Sequence, residues 1–85
     1  MAFKKNNVKP DNFTFEVKEE LATICETNGW ELKIRLISWN GATPKYDIRK
    51  WKVDEDDNEK CGKGISLTGE EMELLTEALD KIYNE

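Results

Sequence analysis

The chain contains no histidine, and its 85 residues include only two cysteines, Cys25 and Cys61. Without histidine, neither thiol has the usual general base, so we expect no cysteine-dependent nucleophilic catalysis. The two cysteines lie far apart in the sequence and fit no disulfide or metal-binding pattern, which favours a reducing, cytoplasmic environment. The sequence also has no phosphate-binding glycine loop and no pair of carboxylates in an apolar setting. We therefore predict that the protein is not an enzyme and uses no cofactor or metal.

Long apolar segments are also missing. No stretch approaches the ~20 apolar residues of a membrane-spanning helix, and no apolar core of a signal peptide follows the opening MAFKKNNVKP. We therefore expect neither a membrane anchor nor a secretory signal. A chain of 85 residues has room for one small domain. We place this domain at residues 13–85, after a flexible basic arm formed by residues 1–12.

Charge is unevenly distributed along the chain, whose formal net charge is −5. Residues 1–52 carry ten Lys/Arg and seven Asp/Glu, a balance of +3, whereas residues 53–85 carry three and eleven, a balance of −8. A basic half is common in nucleic-acid-binding proteins but also arises by chance in short chains. The acidic segment 54–59 is spaced like the start of a calcium loop. It lacks the glycine and the final glutamate of such loops, so we expect a solvated loop.

Alternating apolar and polar residues predict four strands. The strand segments are FTFEVKEELATIC, WELKIRLISW, KYDIRKW and GKGISL, with a turn at Asn28-Gly29 between the first two. Thr68-Gly-Glu-Glu71 matches a capping box and begins a helix. The predicted fold class is α+β, with a four-stranded antiparallel sheet followed by one C-terminal helix, in the order ββββα.

Side-chain alternation divides this sheet into two faces. A two-residue turn at Asn40-Gly41 would place Leu36 opposite Lys45, so that apolar residues would meet charges. We therefore predict a longer loop or a bulge, which places Leu36 beside Tyr46 or Ile48. The residues expected on the core face of the second strand are Trp30, Leu32, Ile34 and Leu36. Those expected together on the opposite face are Lys33, Arg35, Trp39, Lys45, Arg49 and Trp51, with Asp47 paired to Arg35 or Arg49.

Cations and indoles that share an exposed sheet surface are typical of proteins that bind single-stranded nucleic acid. Lys and Arg follow the phosphates, while aromatic rings stack on unpaired bases at ~1–3 kcal/mol per base. Duplexes offer no bare base faces, so stacking favours single strands. Tryptophan in a small domain is, however, often part of the core or of a dimer interface, and the pattern leaves both interpretations open for Trp39 and Trp51. The direction of Lys63 is not predicted, because Gly62 and Gly64 flank it.

The predicted helix is too narrow for the predicted sheet. Four strands at ~4.8 Å spacing span roughly 19 Å, whereas one helix covers ~10–12 Å. We therefore expect a homodimer that buries the remaining apolar surface. The helix residues expected at the dimer interface are Met72, Leu75, Leu79 and Ile82.

The segments SWNG, KYDIRKW and KCGKGISLT, followed by the helix, resemble the positive cofactor 4 family of transcriptional coactivators, and most closely its short bacterial YdbC-like members. The resemblance runs from about Phe13 to Ile82. It implies a curved sheet, a homodimer formed through helix and sheet, and binding of single-stranded DNA. Trp39 matches the family's base-stacking aromatic residue, Trp51 matches the tryptophan that ends the third strand, and Lys63 matches a lysine at the DNA surface.

We therefore predict a largely sequence-independent single-stranded-DNA-binding protein of transcription, replication or repair, located with the nucleoid in a bacterial cytoplasm. Two alternatives would use the same face: an RNA-binding protein or RNA chaperone, and a protein-interaction module. The acidic, Ser-rich extension of the eukaryotic coactivators has no counterpart here, which argues against a coactivator role through general transcription factors. The predicted nucleic-acid contacts are Lys18, Lys33, Arg35, Trp39, Lys45, Arg49, Trp51, Lys60 and Lys63.

Overall fold

The computed structural model describes residues 14–84. Along the chain, these residues form β1 (Phe15–Thr27), β2 (Trp30–Trp39), β3 (Lys45–Val53), β4 (Glu59–Leu67) and α1 (Gly69–Tyr83). The strands make one open, curved antiparallel sheet in the order β1-β2-β3-β4. The predicted α+β class and ββββα order are confirmed. The N-terminal arm predicted at residues 1–12 lies outside the described residues.

Asn-Gly pairs begin both of the first two connections of the sheet. Asn28 (φ 55°) and Gly29 (φ 84°) close the hairpin between β1 and β2. Asn40 (φ 52°) and Gly41 (φ 78°) adopt the same left-handed backbone, which these two residue types tolerate best, and they begin a connection that continues to residue 44. Leu36 consequently lies opposite Tyr46. The predicted loop longer than two residues is confirmed.

The outer strand β1 is irregular. Its pairing with β2 shifts register at three points, between Val17 and Glu19, between Glu20 and Ala22, and again between Thr23 and Cys25. Each shift inserts an extra residue in β1, which bends the strand and increases its twist. The 13 residues of β1 therefore follow only ten residues of β2.

The helix α1 begins at the predicted capping box. The side-chain oxygen of Thr68 accepts a hydrogen bond from the Glu71 amide at 3.1 Å, and the Glu71 carboxylate accepts one from the Thr68 amide at 2.8 Å. Among the described elements, α1 approaches β3 and β4 but neither β1 nor β2. Met72 is half-buried, whereas Ile82, nearly three turns later, is 68% exposed. The end of the helix is therefore covered less by its own sheet than the start. Within residues 14–84, no helix has the length and apolar character that crossing a bilayer requires.

The strand register divides the sheet into two faces with opposite chemistry. We call one the concave face; it carries Lys33, Arg35, Ile37, Trp39, Lys45, Asp47, Arg49, Trp51 and Ser66. We call the other the apolar face; it carries Trp30, Leu32, Ile34, Leu36, Tyr46, Ile48, Ile65 and Leu67. The predicted division of the side chains between the two faces is confirmed.

The sheet is curved toward the concave face. Trp51 pairs with Glu31, which precedes Trp39 by eight residues on β2, a distance of about 26 Å along a straight strand. The two indole rings nevertheless stack, with their centroids 6.4 Å apart. Because indole side chains are too short to close such a gap alone, the sheet bends toward this face.

The buried apolar side chains lie on the concave face, contrary to expectation. We predicted a core on the apolar face, yet the two apolar side chains that are buried in the described chain are Ile37 and Trp51. On the apolar face, Trp30 and Leu32 are only half-buried and Ile65 is 53% exposed. The prediction is wrong for the single chain because curvature closes the concave face, while the helix covers little of the apolar one.

Candidate nucleic-acid interface

Three aromatic rings meet at the centre of the concave face. The Trp39 and Trp51 rings are nearly parallel, with an interplanar angle of 11°. Phe15 of β1 lies opposite Trp39 in the register and tilts against both indoles, at centroid distances of 5.5 Å from Trp39 and 5.2 Å from Trp51. Aromatic pairs at such distances and angles stabilise each other beyond simple burial. The rings therefore form one packed cluster.

A guanidinium group lies over each indole. The Arg49 guanidinium carbon is 4.8 Å from the centroid of the Trp39 ring, and that of Arg35 is 4.5 Å from the Trp51 ring. Cations within about 6 Å of an aromatic centroid are attracted by the ring's negative face. The alternation of cation and indole predicted from the sequence thus becomes direct cation–π contact, which keeps positive charge beside both rings.

Asp47 connects these groups. Its side chain is completely buried, and the Arg49 Nε donates to Asp47 Oδ1 at 2.6 Å. The Trp39 Nε1 and the Ser66 Oγ both donate to the second oxygen, Oδ2, at 3.2 Å and 3.0 Å. A buried carboxylate requires such partners, because losing hydration without them is costly. The predicted pairing of Asp47 with Arg35 or Arg49 is confirmed for Arg49.

Arg35 is held by two carboxylates from distant parts of the sequence. Glu20 of β1 accepts from Arg35 Nε at 3.0 Å and lies 2.7 Å from Nη2, while Glu59 of β4 accepts from Nη1 and Nη2 at 3.3 Å and 2.8 Å. Burial disfavours the guanidinium charge, but the hydrogen bonds to Glu59 and Glu20 outweigh burial and raise the pKa of Arg35. Arg35 therefore joins β1, β2 and β4 across the concave face.

The lysines predicted to bind nucleic acid are less closely grouped. Lys45 is exposed and lies opposite Ile37, at one end of the concave face. Lys33 lies opposite Arg49 on the same face and pairs with Glu31 at 3.5 Å.

Lys63 is exposed and occupies a bulge in β4. There, Gly62 and Lys63 together oppose a single residue of β3, Lys50. Arg49 Nη1 also donates to the Gly62 carbonyl oxygen at 3.3 Å. Bulges redirect side chains, which explains why strand alternation could not predict the direction of Lys63.

Comparison with known proteins identifies the family. The family described as Transcriptional Coactivator p15 (PC4) matches residues 25–78, which run from the end of β1 well into α1. The chain belongs to the PC4 family. An uncharacterized protein of Treponema pallidum (strain Nichols) is 40% identical over 83 residues, which cover 96% of this chain and 94% of that relative. Membership of the PC4 family supports a nucleic-acid-binding function, as predicted from the resemblance.

Two expectations about exposure are wrong in this PC4-family chain. Trp51 and Arg35 were expected to face outward, but they are 2% and 3% exposed. Phe15 and Trp39 pack against the Trp51 ring, and Arg35 lies over it, while Glu20 and Glu59 enclose Arg35. Curvature and long-range ion pairs bury both side chains, and strand alternation predicts neither the curvature nor the ion pairs.

Two predicted contacts lie away from the cluster. Lys60 pairs with Lys52, which follows Trp51 and so points to the apolar face; the Lys52 ammonium accordingly lies 5.8 Å from the Trp30 ring. The register therefore places Lys60 on the opposite side of the sheet from Trp39. Lys18 occupies the first bulge of β1, and its ammonium pairs with Glu16 of the same strand at 3.1 Å.

The end of the sheet near the Asn28-Gly29 turn is more acidic than the end that carries Lys45. A cleft beside Trp51 is lined there by Glu26, Gly29, Glu31, Lys33, Trp51, Lys52, Val53 and Glu59. Trp51 Nε1 is buried and, among the described residues, is the one buried side-chain nitrogen or oxygen without a hydrogen-bond partner. The carboxylates at this end of the concave face would repel phosphates, whereas Lys45 at the other end would attract them.

The acidic loop is held by its own backbone. Asp54 Oδ1 accepts hydrogen bonds from the amides of Asn58 and Asp56, both at 2.9 Å, and these bonds lower the pKa of Asp54. The Asp54 carboxylate therefore organises the turn between β3 and β4. In residues 14–84, no group of three or more Cys, Asp or Glu side chains could hold a metal ion.

Sequence reasoning missed two residues of the cluster. Phe15 was predicted only as part of the first strand, because nothing in alternation reveals that it lies opposite Trp39. Ser66 was overlooked between Ile65 and Leu67, although its alternation with them places it on the concave face. Alternation within the last strand would have pointed to Ser66, whereas finding Phe15 required knowledge of the register between β1 and β2.

Proposed function

We propose that this protein is a homodimer that binds single-stranded DNA, largely without sequence preference, on the concave face. The observation that carries the proposal is the cluster of nearly parallel indoles with guanidinium groups over their rings, in a member of the PC4 family. Unpaired bases have flat faces that stack on such rings, and duplexes do not expose them.

Trp39 is the stacking residue in this proposal. Its ring is partly exposed, whereas the Trp51 ring is buried beneath its neighbours. The Trp51 ring instead packs against Trp39, nearly parallel to it and with the two centroids 6.4 Å apart. A supported ring loses less conformational freedom when a base stacks on it, which favours binding.

The exposed lysines contact the phosphates in this proposal. Lys45 and Lys63 form no ion pair among the described residues, so a phosphate does not have to displace a carboxylate from either. Arg35 is already neutralised by Glu20 and Glu59 and serves the structure of the cluster. Lys33 and Arg49 each have one acidic partner and contribute less than a lysine with none.

The uncovered apolar surface supports the homodimer. On α1, Leu79 is 46% exposed, Ile82 is 68% exposed, and Leu74 and Tyr83 are also open. The apolar face of the sheet also includes the exposed Ile65. Several large exposed apolar side chains of this kind favour an interface, and a two-fold arrangement allows the same surface to cover itself. Met72 and Leu75, which are half-buried, would lie at the edge of that interface.

A tryptophan-fluorescence titration with oligothymidine tests the proposal. We expect the oligomer to quench the fluorescence. We also expect the logarithm of the affinity to fall linearly with the logarithm of the salt concentration. Duplex DNA of equal length should bind much more weakly, because its base faces are stacked. Oligouridine in competition measures the preference for DNA over RNA. A titration without quenching, or with an affinity unaffected by salt, would contradict DNA binding on this face.

A further inference from the structure

We infer that Asp47 is a positioning residue for DNA binding: it fixes the orientation of the Trp39 ring and of the Arg49 guanidinium at the same time. The inference rests on the proposed function, since it concerns how the concave face is prepared for a base. It goes beyond that function because a negative charge under a DNA-binding surface is expected, at first sight, to oppose binding.

The geometry of Asp47 carries the inference. One oxygen accepts from Arg49 Nε at 2.6 Å, and the other accepts from Trp39 Nε1 at 3.2 Å and from Ser66 Oγ at 3.0 Å. These bonds reach the edge of the indole and the arginine that lies over its face. The carboxylate thereby links the ring to the cation above it and anchors both to β4 through Ser66.

Position in the sheet explains why this residue can act in this way. Asp47 lies on β3, one of the two inner strands, directly between Arg35 of β2 and Ser66 of β4 in the register. Its side chain is completely buried, so water does not compete for its oxygens. Charge-assisted hydrogen bonds are stronger than neutral ones, and here they hold two functional groups in one arrangement before DNA arrives.

The variant Asp47→Asn separates positioning from simple electrostatics. Asparagine has nearly the same shape, but its amide replaces one of the two oxygens with an NH2 group, so in the same orientation either Arg49 or Trp39 loses its acceptor. Simple electrostatics predicts tighter DNA binding, because a negative charge is removed. We expect the opposite, a loss of affinity for oligothymidine of about tenfold, which corresponds to ~1.4 kcal/mol. The salt dependence should change little, since no phosphate contact is removed.

Glu31→Gln is the matched control. It removes the same charge from the concave-face surface, but Glu31 pairs with Lys33 and its side chain is 46% exposed, whereas that of Asp47 is buried. We expect Glu31→Gln to leave affinity unchanged or to increase it up to about threefold, as expected when a lysine near a polyanion loses a competing carboxylate. Equal behaviour of the two variants would overturn the positioning role.

A double-mutant cycle with Trp39→Phe tests whether Asp47 acts through the indole. Phenylalanine keeps an aromatic ring but has no N–H to donate to Asp47. If the inference is correct, Asp47→Asn costs about tenfold in the wild type but only roughly threefold in the Trp39→Phe background, since interacting residues are not additive. Additive losses would mean that Asp47 supports the fold without orienting Trp39.

Nuclear magnetic resonance of the unbound wild type keeps the inference testable if Asp47→Asn fails to fold. We expect the Trp39 indole N–H to be as rigid as the backbone, with an order parameter of about 0.85, before any DNA is added. A value below about 0.6 would overturn the inference. These outcomes are distinct from failure of the proposed function, in which the folded wild type itself does not bind oligothymidine.

Discussion

The two faces of this sheet differ in a way that their composition does not suggest. The concave face is rich in charged and polar groups, yet Asp47, Arg35 and Trp51 are buried there within one chain. The apolar face is made largely of aliphatic residues, yet Ile65 and the end of α1 remain exposed. The comparison teaches that hydrophobicity alone does not identify the core of a small curved sheet. Curvature, hydrogen bonds and ion pairs complete the concave face, and we propose that a second copy completes the apolar face.

The largest expected effect concerns the close pairing of β3 and β4. A Cβ atom on Gly64 would collide with the backbone and the Cβ of Arg49 and with the Ile48 carbonyl oxygen, whereas one on Gly62 meets nothing within 4 Å. We expect Gly64→Ala to decrease the free energy of unfolding by about 3 kcal/mol, because the backbone must move to relieve the clash.

Gly62→Ala is the matched control, and it should change the free energy of unfolding by less than about 1 kcal/mol. Both variants are to be compared by urea unfolding at one protomer concentration, since the proposed dimerisation would link stability to concentration. Equal stability of Gly64→Ala and Gly62→Ala would show that the two strands are not held as closely as described.

The second test concerns the apolar surface. Ile82→Glu places a charge in the exposed apolar end of α1, which we propose is buried between protomers. Because burying an unpaired carboxylate is costly, we expect this variant to sediment as a monomer of 9.9 kDa at micromolar concentration. Thr76→Glu adds the same charge at an exposed polar position of α1 and should leave the dimer intact. Sedimentation of the wild type as a monomer would contradict the proposed dimer directly.

The third test separates the faces by their lysines. Lys45 lies on the concave face, whereas the register places Lys60 on the opposite side. We expect Lys45→Ala to reduce the slope of log affinity against log salt by about one phosphate contact, and we expect the same of Lys63→Ala. Lys60→Ala removes an equal charge and should leave the slope unchanged. A smaller slope for Lys60→Ala than for Lys45→Ala would mean that DNA follows the other face.

The smallest expected effect concerns acid stability. The hydrogen bond from Arg35 lowers the pKa of Glu20 below its ordinary value of 4.5. The stabilisation from this pair is therefore complete above the unfolded-state pKa and is lost as the pH falls through the lower folded-state pKa. Since the Glu20 side chain is largely exposed, we expect less than about 1 kcal/mol.

Urea unfolding between pH 7 and pH 3 measures this contribution. The difference in stability between wild type and Glu20→Gln should shrink as the pH falls below 4.5. Glu16→Gln, which removes the carboxylate of an exposed pair with Lys18, is the control and should have a smaller effect. A Glu20→Gln difference that is constant across this pH range would contradict the role of the Arg35 pair.

Local patterns predicted the elements and the faces of this protein. Alternation in WELKIRLISW marked β2 at its observed bounds, and Thr68 with Glu71 marked the start of α1. The conflict between Leu36 and Lys45 in a short turn predicted the observed register of β2 and β3. Each of these features depends on residues close together in the sequence, and for this reason it could be predicted.

Long-range pairing could not be predicted in the same way. The burial of Arg35 depends on Glu20 and Glu59, which are 15 and 24 residues away from it in the sequence. The burial of Trp51 depends on the bend of the whole sheet and on Phe15, which packs against Trp51 from the start of the border strand β1. Alternation assigns a side chain to a face, but it does not reveal whether that face opens to water or folds onto itself.

The irregular pairing of β1 has a consequence for how the protein avoids uncontrolled polymerisation. β1 is one of the two borders of the sheet, and its unpaired backbone groups could recruit a strand from another molecule. Its three register shifts interrupt the regular spacing that an incoming strand would need, and its sequence adds several glutamates to that border. Growth of chains of molecules by strand addition is therefore obstructed at this border.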